Sequence, residues 1–218
     1  RLFPLGALTR GLQGRVLTEM AELTEAGCIG FGQAEHAVVD TQVLQRSLQY
    51  AATYGYTVWL RPQDPYLGKG VAASGPLATR LGLSGVPVAA ETIALHTLFA
   101  LMRSTGARVH VCRISSAAGV ELIRQAKVEG LAITCDVSIN SLHLSDHDIG
   151  YFDSRARLQP PLRQQRDRLP ASNGWVAMGV YRYVPRHARP NFQQLEFAAR
   201  ISVLNDHATA AGRPSGIG

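Results

Sequence analysis

Apolar and polar positions alternate in two rhythms along this chain. Over residues 108–114, Val109 and Val111 are set against His110 and Cys112, the period of a strand. Ser115-Ser116-Ala117-Ala118-Gly119 reads as a tight turn. Val120, Leu122, Ile123 and Ala126 then recur at helical spacing until Gly130 ends the run. The same strand–turn–helix rhythm appears upstream. Residues 57–60 predict a strand. Asp40-Thr41 predicts the cap of a helix starting near Gln42, with Leu44, Leu48, Ala51 and Ala52 on its apolar side and Gly55 as its stop. A longer helix enters at Pro87 and runs through Glu91, Ile93, Leu95, Leu98 and Met102 to Thr105-Gly106.

The spacing of Val16, Leu17, Met20 and Leu23 predicts a helix over residues 12–23, followed by a brief buried strand over 28–31. A short helix is expected over 76–81, a strand over 131–137, and a turn with a short helix over 142–149 in which Ser145 is the cap. Residues 151–168 are polar, contain Pro160 and Pro161, and predict extended loop. Residues 191–204 have the spacing of a helix, and 208–218 predict a flexible tail. Strands alternating with helices give an α/β fold built on a parallel sheet. The pattern alone does not separate an open sheet from a barrel. A Gly-rich phosphate loop is missing, which weakens the nucleotide-binding form of the open sheet.

Composition narrows the picture modestly. With 218 residues, 46% of them apolar and 17% charged, the chain suits a substantial core. The net charge of +6 comes mostly from scattered arginines. Without a dense basic block, nucleic acid is not expected as a partner, whereas an anionic ligand is compatible. Cys28, Cys112 and Cys135 lack CxxC spacing and predict free buried thiols in a reducing compartment. No apolar run is long enough for a membrane span, so a cytoplasmic protein is expected.

The segments FPLGALTRGLQG, EMAELTEAGCIGF, VVDTQVLQRSLQYAATYG, LGLSGVPVAAE, RVHVCRISSAAGVELIRQAKVEG and HLSDHDIGYFDSRARLQPPLR follow one another across residues 3–168. In that order they resemble the middle of a dihydroorotase, a family of the amidohydrolase superfamily. The resemblance implies a (β/α)8 TIM-like barrel of the metal-dependent hydrolase type, here incomplete at the N-terminus because the strand with paired metal-binding histidines is absent. It divides the chain into a barrel portion, 1–168, and a C-terminal portion, 169–218, that departs from the family. It also implies zinc chemistry on a cyclic amide, in which the metal polarises a carbonyl and activates a bound water.

The residues at the family's site positions do not suit that chemistry. The acidic ligand falls at Gln33. A metal histidine in a His-x-Glu-Asp pattern falls at Arg61 of Arg61-Pro62-Gln63-Asp64, and the next one at Arg113. A guanidinium offers a metal no lone pair. His110 matches a non-liganding histidine. The family's Pro-His-His reads Ile139-Asn140-Ser141, and its substrate-binding Asn reads Gln159, although Pro160 to Arg163 persist. Asp206, in Asp206-His207-Ala208, matches the late catalytic aspartate only locally and is a weak candidate, a cap or surface pair being the blander account.

Three functions follow from the resemblance. The first is a non-catalytic dihydroorotase homologue, without metal, that assembles with aspartate carbamoyltransferase or with itself. The second is an active zinc hydrolase with ligands outside this chain, or chemistry at Asp64, His36 or His143. His143 and His147, around a short polar turn, are otherwise surface residues. The third is an anion-binding protein using Arg61, Asp64, Arg113, Asn140, Gln159 and Arg163, with Arg163 the leading contact and Asp64 the nearest sequence partner for an arginine.

Overall fold

In a computed structural model, residues 3–151 and 153–169 are described in full, together with the backbone of Ala198–Ala199. The strands are β1 (Gly6–Ala7), β2 (Phe31–Gly32), β3 (Thr57–Leu60), β4 (Ala72–Ala73), β5 (Gly85–Val86), β6 (Arg108–Ile114), β7 (Ile133–Ser138) and β8 (Ala198–Ala199). The helices are α1 (Met20–Glu25), α2 (Thr41–Tyr54), α3 (Pro76–Arg80), α4 (Ala89–Thr105), α5 (Ala117–Val128) and α6 (Ile139–His143). One sheet has the order β1-β2-β3-β6-β7-β8, parallel from β1 to β7, with β8 antiparallel to β7. A second small sheet pairs β4 with β5.

Each long connection between parallel strands carries a helix, as parallel pairing requires. Val58, Val109 and Val111 project from β3 and β6 into one core with Leu44 and Leu48 of α2, Leu95, Leu98, Phe99 and Met102 of α4, and Ile123 and Ala126 of α5. On the opposite face, the ring of Trp59 lies 4.0 Å from that of His110, and His110 is buried. The alternation of β6 thus buries Val109 and Val111 on one face and His110 on the other, with Cys112 half-buried.

The cap prediction for α2 holds. Asp40 Oδ1 accepts from the N–H of Gln42 at 2.8 Å and of Val43 at 3.3 Å, and Gly55 ends the helix in the left-handed conformation at φ 69°. Ser145 likewise forms a reciprocal cap with Asp148 at the start of a 3-10 turn, Asp146–Ile149.

The helix expected over 12–23 is replaced. Its first half is a loop containing a 3-10 turn, Arg10–Leu12, and only Met20–Glu25 is α-helical. The physical reason lies in Gly11 and Gly14, at φ 58° and 69°, and in local pairing: Arg10 N–H donates to Val16 O at 2.8 Å, and Gly14 N–H to Thr9 Oγ1 at 2.9 Å. The strand expected over 28–31 shifts to Phe31–Gly32. The helix expected over 191–204 lies outside the described residues apart from the backbone of Ala198–Ala199, which is a strand. Asp206 and the tail over 208–218 also lie outside them.

Candidate functional site

The C-terminal ends of β2, β3 and β6 converge, and the loops that leave them carry the charged residues. Arg61 follows β3 directly, and Glu35 follows β2 by a short loop. Arg113 sits within β6 at a register irregularity between Val111 and Ile114. Its φ of 56° is rare for a residue with a side chain. The conformation is held by Asp136 of β7, whose Oδ1 accepts from Arg113 N–H at 2.6 Å.

Both guanidinium groups meet one carboxylate. Arg61 Nη1 lies 3.1 Å from Glu35 Oε2, and Arg113 Nη2 pairs with Glu35 Oε1. Gln159 ties the same two arginines from a part of the chain distant in sequence. Its Oε1 accepts from Arg61 Nη1 at 3.3 Å, and its backbone carbonyl accepts from Arg113 Nη1 at 3.1 Å. Arg61 Nη2 also donates to the Glu35 backbone carbonyl at 3.1 Å. Beside this cluster opens a cavity of ≈ 530 Å³ whose walls include Arg15, Glu35, His36 and Arg61.

Of the residues expected to form the site, Arg61, Arg113 and Gln159 come together. Glu35, which holds them, was not expected. The sequence signal for it was a carboxylate two residues after Gln33, in the loop leaving the same strand. Gln33 itself is fully buried, with Oε1 accepting from Thr9 Oγ1 at 3.0 Å and Nε2 without a partner among the described residues. Asp64 is not the ion partner it was expected to be. Its Oδ1 accepts from the N–H groups of Tyr66 and Leu67 at 2.9 and 2.8 Å, closing the turn that the two flanking prolines begin. Asn140 lies in the first turn of α6, and its carbonyl accepts from Leu144 N–H. His36 and His143 are exposed, as is His147.

Arg163 belongs to a separate buried cluster, which corrects its expected place with Arg61 and Arg113. Its Nε donates to Ser115 Oγ at 3.0 Å and its Nη1 to Val86 O at 2.9 Å. Burial pulls its basicity below the usual arginine value, while the charges of Glu91 and Asp167 act in the other direction. The Glu91 carboxylate, 3% exposed, accepts from the N–H and O–H of Ser115 at 2.9 and 2.6 Å and from those of Ser116 at 3.1 and 2.6 Å. This cluster anchors the turn between β6 and α5, immediately after Arg113.

Among the described residues, one group of donors lies close enough to share a metal ion: His110, Cys112 and Asp136, with ligand atoms within 4.8 Å of one another. Two of these groups, His110 and Asp136, already satisfy each other. His110 Nε2 is 3.0 Å from Asp136 Oδ2 and its Nδ1 is 2.7 Å from Thr134 Oγ1. Burial first, then the charge of Asp136, pushes the Cys112 thiol up to about 12, so it is protonated near neutrality. All three cysteines are free and half-buried.

No family model matches the chain. Among curated proteins it is 40% identical over 192 residues to a "Dihydroorotase-like protein" of Pseudomonas aeruginosa, an alignment covering 88% of this chain and 45% of that protein. It is 34% identical over 206 residues to a "Dihydroorotase" of Geobacter sp. (strain M21), covering 92% of this chain and 48% of that one.

The chain belongs to the dihydroorotase family.

This dihydroorotase-family chain spans just under half the length of those curated relatives. Its fold matches the L-hydantoinase (dihydropyrimidinase) of Arthrobacter aurescens with a TM-score of 0.61 at 22% identity, over 75% of this chain and 38% of that one. The expected amidohydrolase architecture is thereby met as a partial parallel α/β sheet, not closed into a barrel among the described residues. Within this dihydroorotase framework, an amide and two guanidinium groups occupy the three positions that the resemblance assigns to metal ligands, Gln33, Arg61 and Arg113. They do not fit a divalent cation, because neither guanidinium has a lone pair to give and Gln33 brings no negative charge. Among the described residues, no helix is long and apolar enough to cross a membrane.

Proposed function

We propose that this chain is a non-catalytic dihydroorotase homologue whose role is structural, as a partner of an aspartate carbamoyltransferase. The observation that supports it is the bridging of Arg61 and Arg113 by Glu35. Two guanidinium groups bridged by one carboxylate stand at positions that the resemblance gives to metal ligands, and such a cluster offers no lone-pair set to hold a metal and its reactive water. The relative in Pseudomonas aeruginosa is itself named "Dihydroorotase-like protein". Without metal and nucleophile, a preserved scaffold offers surfaces for assembly.

The test is made on purified chain with and without added zinc. Metal content below one equivalent and no dihydroorotate hydrolysis are expected, with retention of the chain by an aspartate carbamoyltransferase in size-exclusion chromatography. Stoichiometric zinc with turnover, or an isolated monomer in the presence of the transferase, sinks this reading. A second reading, an active zinc hydrolase, draws on the His110, Cys112 and Asp136 group. It requires zinc to displace the His110–Asp136 hydrogen bond and the thiol proton, and the same assay decides it.

A further inference from the structure

The geometry points to a second use of the filled site: Glu35 is a resident carboxylate in a receptor for small dicarboxylates, and a free dicarboxylate displaces it. This inference rests on the reading above that guanidinium groups fill the metal positions. It does not depend on the transferase.

Burial across the cluster is unequal. The side chain of Arg61 is 9% exposed and that of Arg113 17%, whereas that of Glu35 is 49% exposed. The cations are therefore the fixed, desolvated part and the carboxylate faces solvent. A desolvated cation demands an anion, but not this particular one. Neither arginine depends on the Glu35 carboxylate for its position. The Glu35 backbone carbonyl and Gln159 Oε1 hold Arg61, while Gln159 O holds Arg113, whose backbone Asp136 fixes. When the carboxylate swings out, the two forks remain aimed at the place it leaves, which is the preorganisation that bidentate carboxylate recognition needs.

The room for a ligand is adjacent. The ≈ 530 Å³ cavity is lined by Glu35 and Arg61 themselves, and by Arg15. One carboxylate of the ligand takes the place of Glu35, and Arg15 supplies a cation for the second. Glu35 then acts as an internal competitor that lowers apparent affinity by the fraction of molecules in which it is seated.

The experiment is a calorimetric titration of malonate into the full chain, with sodium chloride at equal ionic strength as the control. Glu35→Gln removes the competing charge but keeps the side-chain shape, and about tenfold tighter malonate binding is expected. Arg61→Ala is expected to weaken it by about tenfold or more. Glu35→Asp, too short to reach both arginines but still charged, is expected to bind malonate severalfold tighter than wild type, and serves if Glu35→Gln does not fold. Unchanged or weaker binding in the folded Glu35 variants overturns the proposal. So does retained affinity in Arg61→Ala, or an equal response to chloride. Zinc content and turnover on the same preparation separate the two readings. A metal-free, inactive protein that ignores malonate sinks only this inference, whereas a zinc-loaded active one sinks the structural reading.

Discussion

Glu91→Ala tests whether the turn after β6 is held by one buried carboxylate. In the native protein that group accepts four hydrogen bonds, from the N–H and O–H of Ser115 and Ser116, at 2.6 to 3.1 Å. The two hydroxyls can rotate toward other acceptors, but the two N–H groups cannot. Each buried N–H left without an acceptor costs about 1–3 kcal/mol. Arg163, only 4% exposed, would also lose the nearby negative charge that offsets its burial. Breaking a buried charge arrangement by removing one partner costs about 3–5 kcal/mol, and the two counts overlap, so about 3–5 kcal/mol is the expected loss. Glu91→Gln keeps one oxygen acceptor and should cost roughly half as much. Urea unfolding followed by circular dichroism reads the change. With a slope of about 2 kcal/mol per molar, the Glu91→Ala midpoint should fall by about 1.5–2.5 M at unchanged slope. Ser115→Ala should cost less in the Glu91→Ala background than in the wild type, because the two residues share one interaction. A midpoint within about 0.3 M of wild type would refute the reasoning, since the carboxylate could not then be the group that satisfies these donors.

Two further outcomes are expected. Because burial raises the Cys112 thiol from its ordinary 9.0 to about 12, the folded state favours the protonated form, so this contribution to stability is intact below about pH 9 and is lost as pH rises toward 12. Alkylation of Cys112 by iodoacetamide, mapped by mass spectrometry, should be negligible near neutrality in the native protein and rapid in urea; fast native labelling would contradict the burial. Asp40→Ala removes the cap of α2 and should lower stability by about 1 kcal/mol, while Asp40→Asn should be nearly neutral, as read by thermal unfolding. An alanine variant as stable as wild type would mean that the cap hydrogen bonds contribute nothing.

The residues that were legible in the sequence are those whose structure is set by near neighbours. Thr57–Leu60 and Arg108–Ile114 form where alternation and β-branched residues predicted them, and α2 starts at Asp40 and stops at Gly55 as its cap and glycine dictate. Whether Gln33, Arg61 and Arg113 could hold a metal needs no structure to answer, because residue type alone decides whether a lone pair is available. Local pattern misled where two glycines in left-handed conformations and the Thr9–Gly14 hydrogen bond overrode the helical spacing of Val16 and Leu17.

What only the tertiary structure decided was which charge meets which. Arg113 finds Glu35 across 78 positions and Arg61 finds Gln159 across 98, while the sequence neighbour Asp64 closes its own turn. Arg163 does not join Arg61 and Arg113, because its buried guanidinium is taken up by Ser115 and Val86 within reach of the charge of Glu91. Periodicity and capping are energies between residues a few positions apart, so a single sequence determines them. Ion pairing is a long-range term whose partner is chosen by how the sheet aligns the strand ends, and that alignment exists only once the core has formed.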